Sequence, residues 1–280
     1  MVRLVVGPDA KPVSFHKNLI RQYSEYFFRA FGPNFREGDD GDLALPETSE
    51  TACRIFQTWI YMQVTRTLHL ATVTFVERST PVWHRPSVGA TWAGPQLNIL
   101  DENIVDDLIH RLIDLYIFAD AYESVKLRND IMTVFTALLV RNEHYPGFDS
   151  AAVMFRRLTS SSTLCQWTIK CTALFWDGYA HSSEDLEALP RDFISQLMVL
   201  IAQRRTDQTE HSILEEELEQ PCNFHEHINE EEKEDCMLKK FEQQPYIDAL
   251  ISACFTAHDG HTLISRHDAL DTATMVVENE

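Results

Sequence analysis

Hydrophobic positions follow two periods in the first sixty or so residues of the chain. Met1-Val-Arg-Leu-Val-Val is rich in β-branched residues and ends at the turn pair Gly7-Pro8, which predicts a strand. Pro12-Val13-Ser14-Phe15 predicts a second, short extended piece. The period then lengthens. One helix is expected from about His16 to Gln22, and the next is capped by Ser24 and carries Phe27, Phe28 and Phe31 at helical spacing. Gly38-Asp-Asp-Gly41 is turn chemistry, and Leu43-Ala-Leu45 before Pro46 predicts another short strand. Ala52, Ile55, Phe56, Trp59 and Ile60 then mark a buried helix of about three turns, with Thr48 or Ser49 available as its cap.

Residues 63–100 break this rhythm. They hold Pro81, Pro86 and Pro95 with Trp83 and Trp92, and are read as a long insertion with one short strand near Leu68 to Val76. Helical spacing returns with Ile104, Leu108, Leu112, Leu115 and Ala119, and continues over Val125 to Val140. Three more helices are expected at Ala151 to Leu158, Leu164 to Tyr179 and Arg191 to Ala202. Leu164, Trp167, Cys171, Leu174 and Phe175 line one of them, and Phe193, Ile194, Leu197, Met198 and Ile201 line another. Stripes of this kind must be buried against something, so a helical extension over 145–205 packed on the first half is the economical reading. From about Arg204 the period fades and charge rises, so residues 206–280 are expected to be an acidic, largely disordered tail.

Charge sharpens the picture in one place. The net charge is −19, and the run from Thr209 to Asp235 holds eleven acidic residues against one lysine, about half of that excess. Such a field opposes binding to nucleic acid or an anionic membrane. Basic residues occur as pairs (Arg156-Arg157, Arg204-Arg205) rather than patches, so no direct nucleic-acid partner is expected. Apolar runs fall far short of the roughly 20 residues of a membrane span, so no membrane partner is expected either. Nothing at the start reads as a secretory signal. The scattered cysteines, with Cys53, Cys165 and Cys171 among apolar helical residues, suit buried thiols in a reducing cytoplasm or nucleus.

Catalytic chemistry finds little purchase. There is no G-x-S-x-G elbow and no phosphate-cradling glycine loop, the histidines are scattered, and pairs such as Asp106-Asp107 lie on the polar face of a helix. The chain is therefore read as a non-enzyme with no cofactor. Cys222-Asn-Phe-His225-Glu-His227, with Cys236 further on, offers two thiolates and two imidazoles of the type zinc accepts. The spacing C-x2-H-x-H-x8-C matches no standard finger or ribbon and lies in the acidic run, so no metal site is expected there.

Several words occur in a fixed order: Phe15-His16-Lys17-Asn18-Leu19-Ile20, Ser24-Glu25-Tyr26-Phe27, Phe31, Phe35-Arg36-Glu37, Leu43-Ala44-Leu45-Pro46-Glu47, Ile55-Phe56-Gln57-Thr58-Trp59-Ile60-Tyr61, Leu115-Tyr116-Ile117-Phe118-Ala119-Asp120-Ala121-Tyr122 and Lys126-Leu127-Arg128. In this the chain resembles the BTB/POZ family, in particular the single-BTB proteins of filamentous fungi, over residues 2–140 with the 63–100 insertion inside. The resemblance implies an α+β fold in which a small sheet is flanked by a helical cluster. It also implies a docking role: adaptor or scaffold, self-association, and for many relatives a cullin scaffold of a ubiquitin ligase. Cullin-binding relatives carry a hydrophobic-x-Glu word after the second helix, which Phe35-Arg36-Glu37 matches in type and place. Phe35 and Glu37 are thus the candidate partner-binding residues. The alternative is that Phe35 caps the domain's own core and Glu37 is a solvated loop charge. At 145–205 the position is that of the helical extension of cullin adaptors, and it equally suits a helical cap in a scaffold with no ligase role, structural or transcription-linked. Trp83 and Trp92 would either seal the insertion or face a partner.

Overall fold

The protein is described here by a computed structural model covering residues 1–76, 102–142, 144–176, 186–204, 209–238 and 244–257. Strand β1 (Val2–Val6) buries Val2, Leu4 and Val6 and turns Arg3 outward, the alternation of a sheet with one face on a core. Gly7, at φ 71°, allows the sharp return into β2 (Lys11–Phe15), which pairs antiparallel with β1. The helical hairpin α1 (Lys17–Tyr23) and α2 (Glu25–Ala30) follows. A single turn, α3 (Arg36–Asp40), ends at Gly41, whose φ of 73° closes it, and leads into β3 (Asp42–Leu45). β3 runs parallel to β1 on its other side, giving the order β2-β1-β3. The fold is mixed α+β, with this three-stranded sheet against a large helical body.

Ser24 fixes the corner between α1 and α2. Its hydroxyl accepts from the Phe27 N–H at 3.1 Å and donates to the Tyr122 carbonyl at 2.5 Å. Ser124 answers it, donating to the Tyr23 carbonyl at 2.7 Å. The two serines thus tie residues 23–24 to residues 122–124, about a hundred positions along the chain.

Helix α4 (Glu50–Val76) starts at Ser49, which accepts from the Ala52 N–H, while Thr48 bonds the Tyr122 hydroxyl instead. It runs on through Val76, so residues 68–76, expected as a strand, are helical. Thr65, Thr67, Thr72, Val73 and Thr74 favour strands in isolation, but extending a packed helix costs far less than nucleating a new element. Trp83 and Trp92 lie outside the described residues.

Helices α5 (Glu102–Ala121), α6 (Val125–Asn142), α7 (Phe148–Arg157), α8 (Thr163–Phe175) and α9 (Arg191–Arg204) follow the predicted series. Leu108, Leu112, Leu115, Ala119, Leu164, Trp167, Cys171, Phe193 and Leu197 are buried as the stripes predict, whereas Ile104, near the start of α5, Phe175, at the end of α8, and Met198, in the middle of α9, are exposed.

The acidic region departs most from expectation. It contains α10 (Thr209–Leu218), a 3-10 turn (Pro221–Asn223), α11 (Glu230–Leu238) and α12 (Gln244–Thr256). Helix α12 packs against α4, α5 and α6. Ile247, Leu250, Ile251 and Cys254 are buried, an i, i+3, i+4, i+7 stripe that the surrounding charge hides in the sequence. Arg111 donates to the Cys254 carbonyl at 2.7 Å and so satisfies one of the acceptors left open at that helix end. One continuous core runs from β1 to α12. Among the described residues no helix is long and apolar enough to cross a membrane.

Candidate functional site

Among the described residues two places carry candidate chemistry. The first is the loop between α2 and β3. Gly32 and Gly38 approach so closely that a Cβ on Gly38 would lie 2.0 Å from the Gly32 carbonyl oxygen. The Gly38 N–H donates to the Phe35 carbonyl at 2.9 Å, and Lys17 donates to the Gly38 carbonyl at 2.8 Å. The loop is therefore held from inside by its backbone, and Phe35 is left 53% exposed at the N-cap of α3. It does not cap the domain's own core. Glu37 sits in the first turn of α3, half-buried, where a carboxylate is favoured by the helix N-terminus. His16, beside the same hairpin, bonds the Tyr61 hydroxyl through Nδ1 at 2.9 Å, a structural contact.

The second place is built on α6. Arg128, with an 11% exposed side chain, makes a two-pronged ion pair to Glu226 at 2.5 and 2.6 Å. Asn129 clasps the backbone of that same glutamate, accepting from its N–H at 2.8 Å and donating to its carbonyl at 3.2 Å. One turn further, Thr133 Oγ1 lies 2.9 Å from His225 Nε2. Three successive contacts from one helix face thus fix the Phe-His-Glu-His segment. Phe224 is buried in the core, with the Lys170 ammonium 5.5 Å from its ring centre and Lys170 paired to Glu217.

Cys222 is buried in the 3-10 turn that begins at Pro221. Cys236 comes from α11, whose start is fixed by Asn229 accepting from the Glu232 N–H and Glu232 accepting from the Ile228 N–H, each at 2.7–2.8 Å. This is close to a capping box, and Asn229-x-x-Glu232 is the signal from which that helix could have been read. The result brings Cys222, His225, His227 and Cys236 together, with their ligand-type atoms all within 4.8 Å of one another. Cys222, His225 and His227 border an open cleft of about 460 Å³, also lined by Glu217, Glu230 and Lys233. The expectation that these four side chains lie apart in an unstructured run is not met.

The other thiols differ in kind. Burial pushes Cys53 and Cys254 up to about 12 and Cys165 to about 11, and holds Cys171 well above its ordinary value. They are core packing groups rather than nucleophiles. Comparison with known protein families, curated proteins and solved structures finds no match to this chain.

Proposed function

We propose that the chain is a non-catalytic interaction module of the BTB/POZ type, an adaptor or scaffold that self-associates and recruits a second protein through Phe35 and Glu37. The partner class put forward is the cullin scaffold of a ubiquitin ligase. The observation that carries this reading is the exposure of Phe35 on a loop whose backbone is fixed from within. A large aromatic side chain held outward in one place loses little freedom on docking, which is the usual character of an interface anchor. A neighbouring carboxylate adds selectivity for a basic partner residue. The element order supports the same reading: a strand hairpin, a helix hairpin, a third strand and then helices, the order in which the words of the resemblance occur.

The test is a pull-down of purified cullin scaffold by the wild-type chain beside a Phe35→Ala/Glu37→Lys variant with unchanged far-UV circular dichroism. Binding by the wild type that falls at least tenfold in the variant is the expected result, corresponding to about 1.4 kcal/mol or more. Equal binding by both removes the two residues from the interface. If neither binds, the ligase reading fails, and sedimentation of the wild type then decides whether a self-associating scaffold remains.

A further inference from the structure

We propose that Cys222, His225, His227 and Cys236 bind one zinc ion in a structural site that fastens residues 221–238 onto α6. The proposal does not depend on the docking role, since neither Phe35 nor Glu37 takes part in it.

Donor type comes first. Two thiolates and two imidazoles are a closed set for zinc, and with four protein ligands no position stays open for a water or substrate. Such a site holds chain segments together. The balance is simple: each thiol releases its proton to solvent as its sulfur bonds the metal, and the two thiolates cancel the charge of the ion. A neutral centre of this kind suits a half-buried place.

Geometry agrees. With zinc–sulfur bonds of about 2.3 Å and zinc–nitrogen bonds of about 2.0–2.1 Å, the edges of a tetrahedral site are about 3.3–3.8 Å. Cys236 Sγ and His225 Nδ1 already stand 3.5 Å apart. The longest separation among the four ligand atoms is no more than 4.8 Å, so closure needs a side-chain adjustment of about 1 Å.

Hydrogen bonding then orients the ligands. Thr133 gives its hydroxyl proton to the Asn129 carbonyl at 3.1 Å, so toward His225 it can only accept. His225 must therefore carry its proton on Nε2, which leaves the Nδ1 lone pair facing Cys236. A second hydrogen-bonding shell that fixes the tautomer of a ligating histidine is the usual support of a zinc site. The ring of His227 stands 5.5 Å from that of His225, and its Nε2 is buried with no hydrogen-bond partner. A bond to a metal would give that nitrogen the partner it lacks.

The test uses the full chain in reductant, exchanged with Co²⁺ in place of zinc. The expected result is one equivalent bound per chain, with a thiolate-to-cobalt charge-transfer band, intense tetrahedral d–d bands, and displacement of both by Zn²⁺. Cys222→Ser and Cys236→Ser should each weaken the charge-transfer band and lose stoichiometric zinc. Thr133→Val should keep the stoichiometry and lower zinc affinity about 10–100-fold in competition with a chromophoric chelator. Octahedral cobalt spectra, or less than half an equivalent bound by the wild type, would overturn the proposal. So would a Cys222–Cys236 disulfide that persists in reductant. The wild-type spectrum decides the matter even if a variant fails to fold.

Discussion

Ser24 shows how much a single small side chain can carry in this fold. Its one hydroxyl caps α2 and bonds the Tyr122 carbonyl, and it is buried where water cannot replace either contact. Ser24→Ala is expected to lower stability by about 1–3 kcal/mol, read as a shift of the urea midpoint at unchanged slope. The cap was legible, because a serine before a helical run has a local meaning. The bond to Tyr122 was not, since nothing near Ser24 announces a partner so far along the chain. The same contrast marks the candidate sites. Phe35 could be picked out from its place after the second helix, whereas its exposure rests on the backbone conformation of a loop that brings Gly32 against Gly38, which the spacing of the two glycines does not announce. The Cys and His residues of 222–236 could be recognised as zinc-type donors, whereas their convergence depends on Arg128, Asn129 and Thr133.

At the scale of elements, patterns were readable wherever one face of an element meets one neighbour. The strands, the α1–α2 hairpin and α5 to α9 all obey period 2 or 3.6; the misjudged positions are Ile104 near the start of α5, Met198 at the solvent edge of α9's stripe beside buried Leu197, and the end of α8, which stops at Phe175 rather than Tyr179. The elements of the acidic region, α10 to α12 with the 3-10 turn, escaped as a group, and so did the second half of α4. The second half of α4 is written in strand-favouring residues and is helical by continuation. Helix α12 has a clean apolar stripe, but charge nearby masked it, and its receiving surface is shared by three helices. Ending the chain after residue 243 removes Ile247, Leu250, Ile251 and Cys254 from contact with α4, α5 and α6. At roughly 1.5–3 kcal/mol for each large side chain, several kcal/mol are lost. The truncated chain is expected to bind a hydrophobic dye strongly and to unfold at clearly lower temperature; a melting temperature within about 2 °C of the full chain's would contradict this packing.

For the molecule as a whole, the sequence divides into a sheet-containing part, a helical part and an acidic part, but the packing does not respect those divisions. The buried side chains form one body from Val2 to Cys254. Thermal unfolding followed by far-UV circular dichroism and by tryptophan fluorescence is therefore expected to give coincident transitions. Trp59 and Trp167 are buried in different regions of that body, and two separated steps would mean that the halves fold independently. The seating of α12 on α4 and α5 has a consequence for synthesis. During translation the apolar grooves of those early helices stay uncovered until residues 244–257 have left the ribosome. Contacts of such sequence separation slow folding and prolong the exposure of sticky surface. The nascent chain is thus a natural client for a chaperone until its late helix arrives.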